Sequence, residues 1–199
     1  LAEPIAACFR DTAFCARHQL GSVNSVNVIR LVVQAAHYFW AYLQLVPLAD
    51  ETIAFSVPCG AGGHRAAGLL AIQMGLPIRL CAATNDNDAL HRVLSEGILG
   101  KKAAVPTSSP SMDIQVPYNL WRLLFVASGY DGDSVRGWRD QLASGAELRL
   151  PAPVLDKLAG WIGSATVSDS EAASAIRRAH AAGCVLDPPP AVGGAAAWR

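Results

Sequence analysis

The residues best placed to do chemistry lie in one turn, Pro58-Cys59-Gly60-Ala61-Gly62-Gly63-His64, set between an apolar run at 52–57 and a helix-forming stretch at 66–74. A helix N-terminus presents free N–H groups and the positive end of the helix dipole, and glycines let the backbone close on an anion, so phosphate is the natural guest. A tight turn that needs glycine only for its dihedrals fits the same residues. Two familiar phosphate loops fit less well. Walker A requires Gly-Lys-Ser/Thr where His64-Arg65 stands. The dinucleotide fingerprint begins at Gly60 and Gly62 but has Arg65 in place of its third glycine, with Asp86 near the position of its acidic residue.

A second polar cluster, Gly21-Ser22-Val23-Asn24-Ser25-Val26-Asn27, precedes a charge-free stretch at 31–49. One Asn or Ser caps the helix that follows. The cluster holds more amides and hydroxyls than one cap uses, which leaves some to face a polar ligand. Other chemistries are thin. Cys59 and His64 lack a third ligand at zinc-like spacing, and His18, His37, His91 and His180 are isolated. No G-x-S-x-G elbow occurs, and Asp86 and Asp88 read as caps of the next helix.

These groups need a scaffold, and its outline is legible. Runs at 52–57 and 78–83 read as buried strands joined by the helix at 66–74, a βαβ unit, so the expected fold is α/β with a mainly parallel sheet covered by helices. Residues 1–20 read as a helical lead-in anchored by Phe9, Phe14 and Leu20. Arg30, Gln34, His37, Ala41 and Gln44 fall on one narrow helical stripe, with Ile29, Val32, Val33, Ala36, Trp40 and Leu43 around it. That pattern reads as a nearly buried soluble helix ended by Pro47 and argues against a membrane span. Further helices are expected at about 88–96, 118–127, 132–143, 153–163 and 168–182, before an Ala/Gly-rich tail. The 199 residues suit one unit without an internal boundary.

Composition sets the outer limits. With 52% hydrophobic residues the chain is not disordered. Basic and acidic residues balance at 16 each, so no electrostatic footprint for nucleic acid or an anionic membrane is present. Five scattered cysteines suit reduced thiols in a cytoplasmic or organellar, intracellular setting, and no secretory signal opens the chain. The chain starts at Leu1, which reads as a fragment of something longer.

Several segments together resemble threonine synthase and the threonine synthase-like proteins, pyridoxal-phosphate enzymes of the tryptophan-synthase-β fold type (fold type II). They are the 21–27 cluster with Arg30, the 37–45 run from His37 to Leu45, the 55–63 run ending in Gly60-Ala61-Gly62-Gly63, and Met74-Gly75-Leu76-Pro77-Ile78. Further on come Ala83-Thr84-Asn85-Asp86-Asn87-Asp88 with Leu90-His91-Arg92, and the 109–117 run from Ser109 to Pro117. They follow the family's order across roughly residues 11–193.

The resemblance implies pyridoxal 5'-phosphate as cofactor, its phosphate held by Gly60, Ala61, Gly62, Gly63 and His64, where threonine synthases carry Gly-Asn-Phe-Gly and then Asp. Because backbone N–H groups bind, Ala61 and Gly62 replace Asn and Phe without losing donors. The substrate it implies is a small phosphorylated amino acid, O-phosphohomoserine, with Asn24, Ser25 and Asn27 on the substrate side. Phosphate elimination then leads to threonine or to 2-oxobutyrate and ammonia. Val116-Pro117-Tyr118-Asn119 and the small Gly-Ala loop are closer to the threonine synthase-like branch, whose members act as phospho-lyases. In the family the Schiff-base lysine lies upstream, and Lys101, Lys102 and Lys157 match no family motif, so no catalytic residue is assigned within the chain. The family's Asp-Pro-His-Thr-Ala-Val-Gly stands here as Asp187-Pro188-Pro189-Pro190-Ala191-Val192-Gly193, with Pro190 in place of the hydroxyl expected opposite the pyridine nitrogen. The competing reading is a non-catalytic module that binds phosphate or pyridoxal phosphate, or a partner, without that lysine.

Overall fold

The computed structural model describes residues 2–46, 51–100 and 102–199; Pro47 and Lys101 lie outside the described residues. The lead-in forms two short helices, α1 (Ala2–Arg10) and α2 (Thr12–His18), divided at Asp11, whose carboxylate accepts from the Phe14 N–H at 2.9 Å. Phe9, Phe14 and Leu20 are exposed and anchor nothing among the described residues, because the two helices pack chiefly on each other.

Helix α3 (Val28–Leu45) starts as expected: Asn27 caps it by accepting from the Ile29 N–H at 3.0 Å. Its buried face differs from the expected one. Leu31, Ala35, Tyr38 and Tyr42 point inward, whereas Ile29, Val32, Val33, Trp40 and Leu43 are exposed, Trp40 at 68%. The helix is apolar on nearly every side, so periodicity does not select the covered face. The tyrosines do, because each hydroxyl reaches a backbone carbonyl, Tyr38 donating to His64 at 3.0 Å and Tyr42 to Glu51 at 2.8 Å.

The βαβ unit forms as read, with β1 (Ile53–Pro58), α4 (Gly63–Gln73) and β2 (Ile78–Thr84). β1 and β2 are parallel, Ile53 facing Ile78 and Pro58 facing Ala83. Helix α5 (Ala89–Glu96) follows. Asp88 occupies its N-cap position without making a cap bond, and its carboxylate instead accepts from Arg92 Nε at 3.0 Å, one turn on. The short strand β3 (Ile98–Leu99) precedes a long loop, α6 (Leu120–Ala127), α7 (Gly132–Ala143) and β4 (Leu148–Arg149), which pairs antiparallel with β3.

Helix α8 (Ala152–Trp161) runs directly into β5 (Ile162–Thr166), a strand missed in the sequence because Gly163, Ser164 and Ala165 carry little β-preference. β5 joins β2 in parallel, giving the order β1-β2-β5. Helix α9 (Asp169–Ala181) starts with a full capping box between Ser168 and Glu171. The Ala/Gly tail is a helix, α10 (Pro188–Ala197). Its three prolines stand in the first turn, where an N–H has no helical partner to lose.

Alternate residues of β2 serve opposite faces. Leu80 and Ala82 join the larger core with Leu31, Leu69, Leu120, Leu123, Leu124 and Leu158, while Ala83 joins Met112, Val167, Ala172, Ala191 and Val192 under α9 and α10. The result is the expected α/β architecture, a parallel sheet flanked by helices. Its C-terminal strand ends carry the loops of interest.

Candidate functional site

The loop after β1 is a backbone cradle. Gly62 takes a left-handed φ of +78° at the N-cap of α4, a conformation that favours glycine. A Cβ on Gly60 would stand 2.9 Å from the Ser111 carbonyl oxygen, and one on Gly63 would stand 2.5 Å from Ser25 Cβ. Glycine is therefore required for close approach as well as for the turn. Among the described residues no protein acceptor takes the N–H groups of Ala61, Gly62, Gly63 or His64. Together with the start of an eleven-residue helix they form a concentrated donor set.

Asn119, which is 1% exposed, holds this cradle in place. Its backbone N–H and its side-chain amide both donate to the Ala61 carbonyl at 3.1 Å, and the same amide donates to Ser25 Oγ at 2.9 Å. Ser25 Oγ lies 3.3 Å from the Tyr118 hydroxyl, to which it donates. Arg122 completes the tie by donating to the Val26 carbonyl at 2.8 Å. One buried amide thus locks the 60–64 loop to the 21–27 cluster.

A cavity of about 200 Å³ opens between them. Gly60, Ala61, Gly62, Gly63 and His64 line one side; Asn24, Ser25 and Tyr118 line another, with Arg30 and Gln34 from α3. Asn27 does not line it, because its side chain caps α3 and donates to the Ser22 carbonyl. Arg30, Gln34, Tyr118, Asn119 and Arg65 were not singled out as site residues in the sequence. The Arg30-Gln34-His37 stripe was the available signal for two of them. Among the described residues no carboxylate lines the cavity.

Electrostatics near the loop favour neutral side chains around a positive frame. Burial, and secondarily His37, hold the His64 imidazole below its ordinary value, and His37 is thus not isolated, its ring lying 6.3 Å from that of His64. Burial pushes the Cys59 thiol up despite the opposing pull of Arg65, so it stays protonated and donates to the Val57 carbonyl. Among the described residues no group of three His, Cys, Asp or Glu side chains could hold a metal ion.

The turn after β2 is a structural clasp. Asp113 Oδ1 accepts from Asn85 at 2.8 Å, Asn87 at 2.9 Å and Thr107 Oγ1 at 2.7 Å, and Oδ2 accepts from the Thr107 N–H. Burial alone raises this carboxyl, but the bonds from Thr107 and Asn85 outweigh it and hold it below its ordinary value. Asp86 is exposed and lines no part of the cavity. On the far side of Pro58, Pro190 and Gly193 of α10 line a second cavity of about 400 Å³ along β1. A larger groove of about 550 Å³ is walled mainly by apolar side chains, among them Leu69, Leu70, Trp121, Phe125 and Val135, with Gln73, Arg122 and Tyr130 also in its lining.

Known proteins resemble this chain in sequence and in structure. Over 174 residues, 85% of this chain, the sequence is 43% identical to threonine synthase-like 2 of Rattus norvegicus, and over 193 residues it is 38% identical to threonine synthase of Pseudomonas aeruginosa. The crystal structure of pyridoxal-phosphate-bound threonine synthase from Brucella melitensis superposes with a TM-score of 0.90 at 37% identity, over 98% of this chain. Over most of its length the chain is similar to threonine synthases in both sequence and structure.

No protein-family model matches the sequence. The chain spans 36% of the rat protein, 41% of the Pseudomonas protein and 42% of the Brucella chain. The fold is thereby that of the fold-type-II threonine synthases. The chain carries the βαβ unit and its glycine loop, and neither Lys102 nor Lys157 lines the cavity beside it. No helix among the described residues is long and apolar enough to cross a membrane.

Proposed function

We propose that this chain supplies the phosphate-holding part of a pyridoxal-phosphate-dependent enzyme that eliminates phosphate from O-phosphohomoserine, as a threonine synthase or as a threonine synthase-like phospho-lyase. One observation carries the reading: the 60–64 loop presents free N–H groups into a carboxylate-free cavity at the end of a parallel strand, in a chain similar to a pyridoxal-phosphate-bound enzyme. The cradle suits a phosphate because its N–H groups have no protein acceptor among the described residues, while Gly60 and Gly63 let the loop sit close against the 109–114 segment and Ser25.

When bound, pyridoxal phosphate supplies an electron sink for the carbanion chemistry of an amino acid. The residues of this chain do the holding. Ala61, Gly62, Gly63 and His64 donate backbone N–H groups to the phosphate. Asn119 keeps the loop rigid through Ala61, and Ser25 and Tyr118 keep the 21–27 cluster against it. Asn24 and Ser25, on the opposite wall, are placed for the substrate, joined by Arg30 and Gln34. Asn27 contributes through the cap that orients α3. Pro190, standing where the resemblance implies a hydroxyl, would have no donor to offer the cofactor's pyridine nitrogen.

The test is phosphate release from O-phosphohomoserine by the full-length protein, with and without pyridoxal phosphate, with threonine and 2-oxobutyrate quantified. Cofactor-dependent release is expected, and the product identifies the branch. A full-length protein that stays colourless with saturating cofactor sinks the reading. The second reading is a non-catalytic phosphate binder, which the same free N–H groups of the 60–64 loop would serve. It predicts reversible cofactor binding and no cofactor fixed to the protein by borohydride.

A further inference from the structure

Directly after the cradle stands a charge that nothing among the described residues answers. Arg65 is 0% exposed, and its Nε and both terminal nitrogens have no hydrogen-bond partner. One terminal nitrogen lies 2.6 Å from the point where a Cβ on Gly62 would stand, so the guanidinium is tucked against the left-handed turn of the loop. Arg65 is itself part of the wall of the 200 Å³ cavity, beside the free N–H groups.

The groups around it do not neutralise it. Tyr38, whose hydroxyl is raised above its ordinary range by burial, spends its proton on the His64 carbonyl, and the Cys59 thiol is kept neutral. Arg30 adds a second cation to the wall, donating to the Val23 carbonyl, and His64 stays neutral. A buried guanidinium with no partner is strongly unfavourable, and leaving such a charge uncompensated is among the more costly arrangements a fold can contain. The positive end of α4 adds to the imbalance. Among the described residues the cavity wall contains cations, N–H donors, amides and hydroxyls, and no acid.

We propose that Arg65 is the counter-charge for the phosphate monoester bound at the 60–64 loop, making the site selective for the dianion where backbone donors alone would hold any oxyanion. This rests on the phosphate reading above and adds to it a side chain and a charge preference. A guanidinium beneath the loop acts on the phosphate through its charge, across a low-dielectric layer where a full opposite charge is attracted more strongly than by neutral N–H donors alone. It also explains the requirement at Gly62, since any side chain there collides with the guanidinium.

The experiment compares full-length wild type with Arg65→Met and Arg65→Lys. Affinities are measured by equilibrium dialysis for pyridoxal phosphate against pyridoxal, and for O-phosphohomoserine against homoserine. In the wild type the phosphorylated partner is preferred. In Arg65→Met that preference drops at least tenfold, while Arg65→Lys retains most of it. The pair whose ratio falls shows whether the cofactor's phosphate or the substrate's is held. Thermal unfolding without ligand supplies a readout independent of activity: Arg65→Met is expected to melt higher than wild type, because an unanswered buried charge has been replaced by an apolar side chain of similar length. A preference unchanged in Arg65→Met overturns the inference and leaves the phosphate reading standing. A Met variant that melts lower, or does not fold, assigns Arg65 a structural partner and also overturns it. A wild type that does not distinguish pyridoxal phosphate from pyridoxal removes the reading on which the inference rests.

Discussion

Gly63→Ala tests the mechanical coupling between the glycine loop and the 21–27 cluster. An added Cβ at Gly63 would stand 2.5 Å from Ser25 Cβ and 2.7 Å from Ser25 Oγ, where ordinary contact begins at 3.4 Å. Turning the Ser25 hydroxyl away does not help, because the Cβ itself is in the way. Ser25 must retreat by about 1 Å, and it is held by Asn119 at 2.9 Å and Tyr118 at 3.3 Å. Overpacking of this kind costs about 1–3 kcal/mol. Alanine's better helix preference offsets less than about 1 kcal/mol at this first helical position. A net loss of about 1–2 kcal/mol is expected in urea unfolding. Ser25→Gly alone removes one acceptor from Asn119 and costs about 1 kcal/mol. In the double variant the collision is gone, so its stability should match Ser25→Gly alone, an interaction of about 1–2 kcal/mol against the roughly 0.3–0.5 kcal/mol scatter of independent sites. Affinity for pyridoxal phosphate should fall in Gly63→Ala and recover in the pair. Simple additivity of the two losses would refute the coupling.

Three further outcomes follow from the same structure. Asp113→Ala should cost about 2–4 kcal/mol near neutral pH, since several charge-assisted bonds are lost. Because the folded carboxyl sits below its ordinary 3.8, that contribution is full above the ordinary range and disappears as pH falls through the depressed value. The gap between wild type and variant should therefore shrink as pH falls below 3.8, and urea midpoints whose gap does not change over that range would exclude the mechanism. Ser168→Ala should cost about 1 kcal/mol through loss of the cap, and Glu171, whose carboxyl is pulled to about 2 first by the Ser168 N–H, should stabilise fully above 4.5 and lose its effect toward pH 2. The His64 imidazole should titrate below 6.5 by NMR, and still do so in His37→Asn, because burial is the larger cause; a midpoint at or above 6.5 contradicts the site's electrostatics.

The parts of this site that were legible in the sequence are those written in contiguous residues. The glycine run, the two apolar strands and the helix between them announce themselves within about thirty positions, and the cap at Asn27 follows from its neighbours. Asn119 and Arg65 were not readable in the same way. Asn119 acts through Ala61, 58 positions away, and Ser25, 94 away, and an asparagine before a helix looks like any cap. Arg65 lies in an apolar stretch, yet nothing in sequence tells a buried cation from one that reaches solvent. The inward face of α3 was misread for a related reason. A helix apolar all round is oriented by what packs on it, here through Tyr38 and Tyr42. β5 and α10 were hidden by composition, a strand of Gly, Ser and Ala and a helix of Ala and Gly whose stability comes from packing.

The contact between α10 and β1 has a consequence for how the chain is made. Ser56 Oγ donates to the Gly193 carbonyl at 2.6 Å, and a Cβ on Gly193 would stand 3.1 Å from Pro58 Cδ, so the strand that launches the loop is seated by residues synthesised 137 positions later. Until residues 188–197 emerge from the ribosome, Ala83, Met112 and Val167 lack the cover of Ala191 and Val192. A nascent chain at that stage holds a bare sheet face beside a finished glycine turn, the kind of surface that chaperones engage.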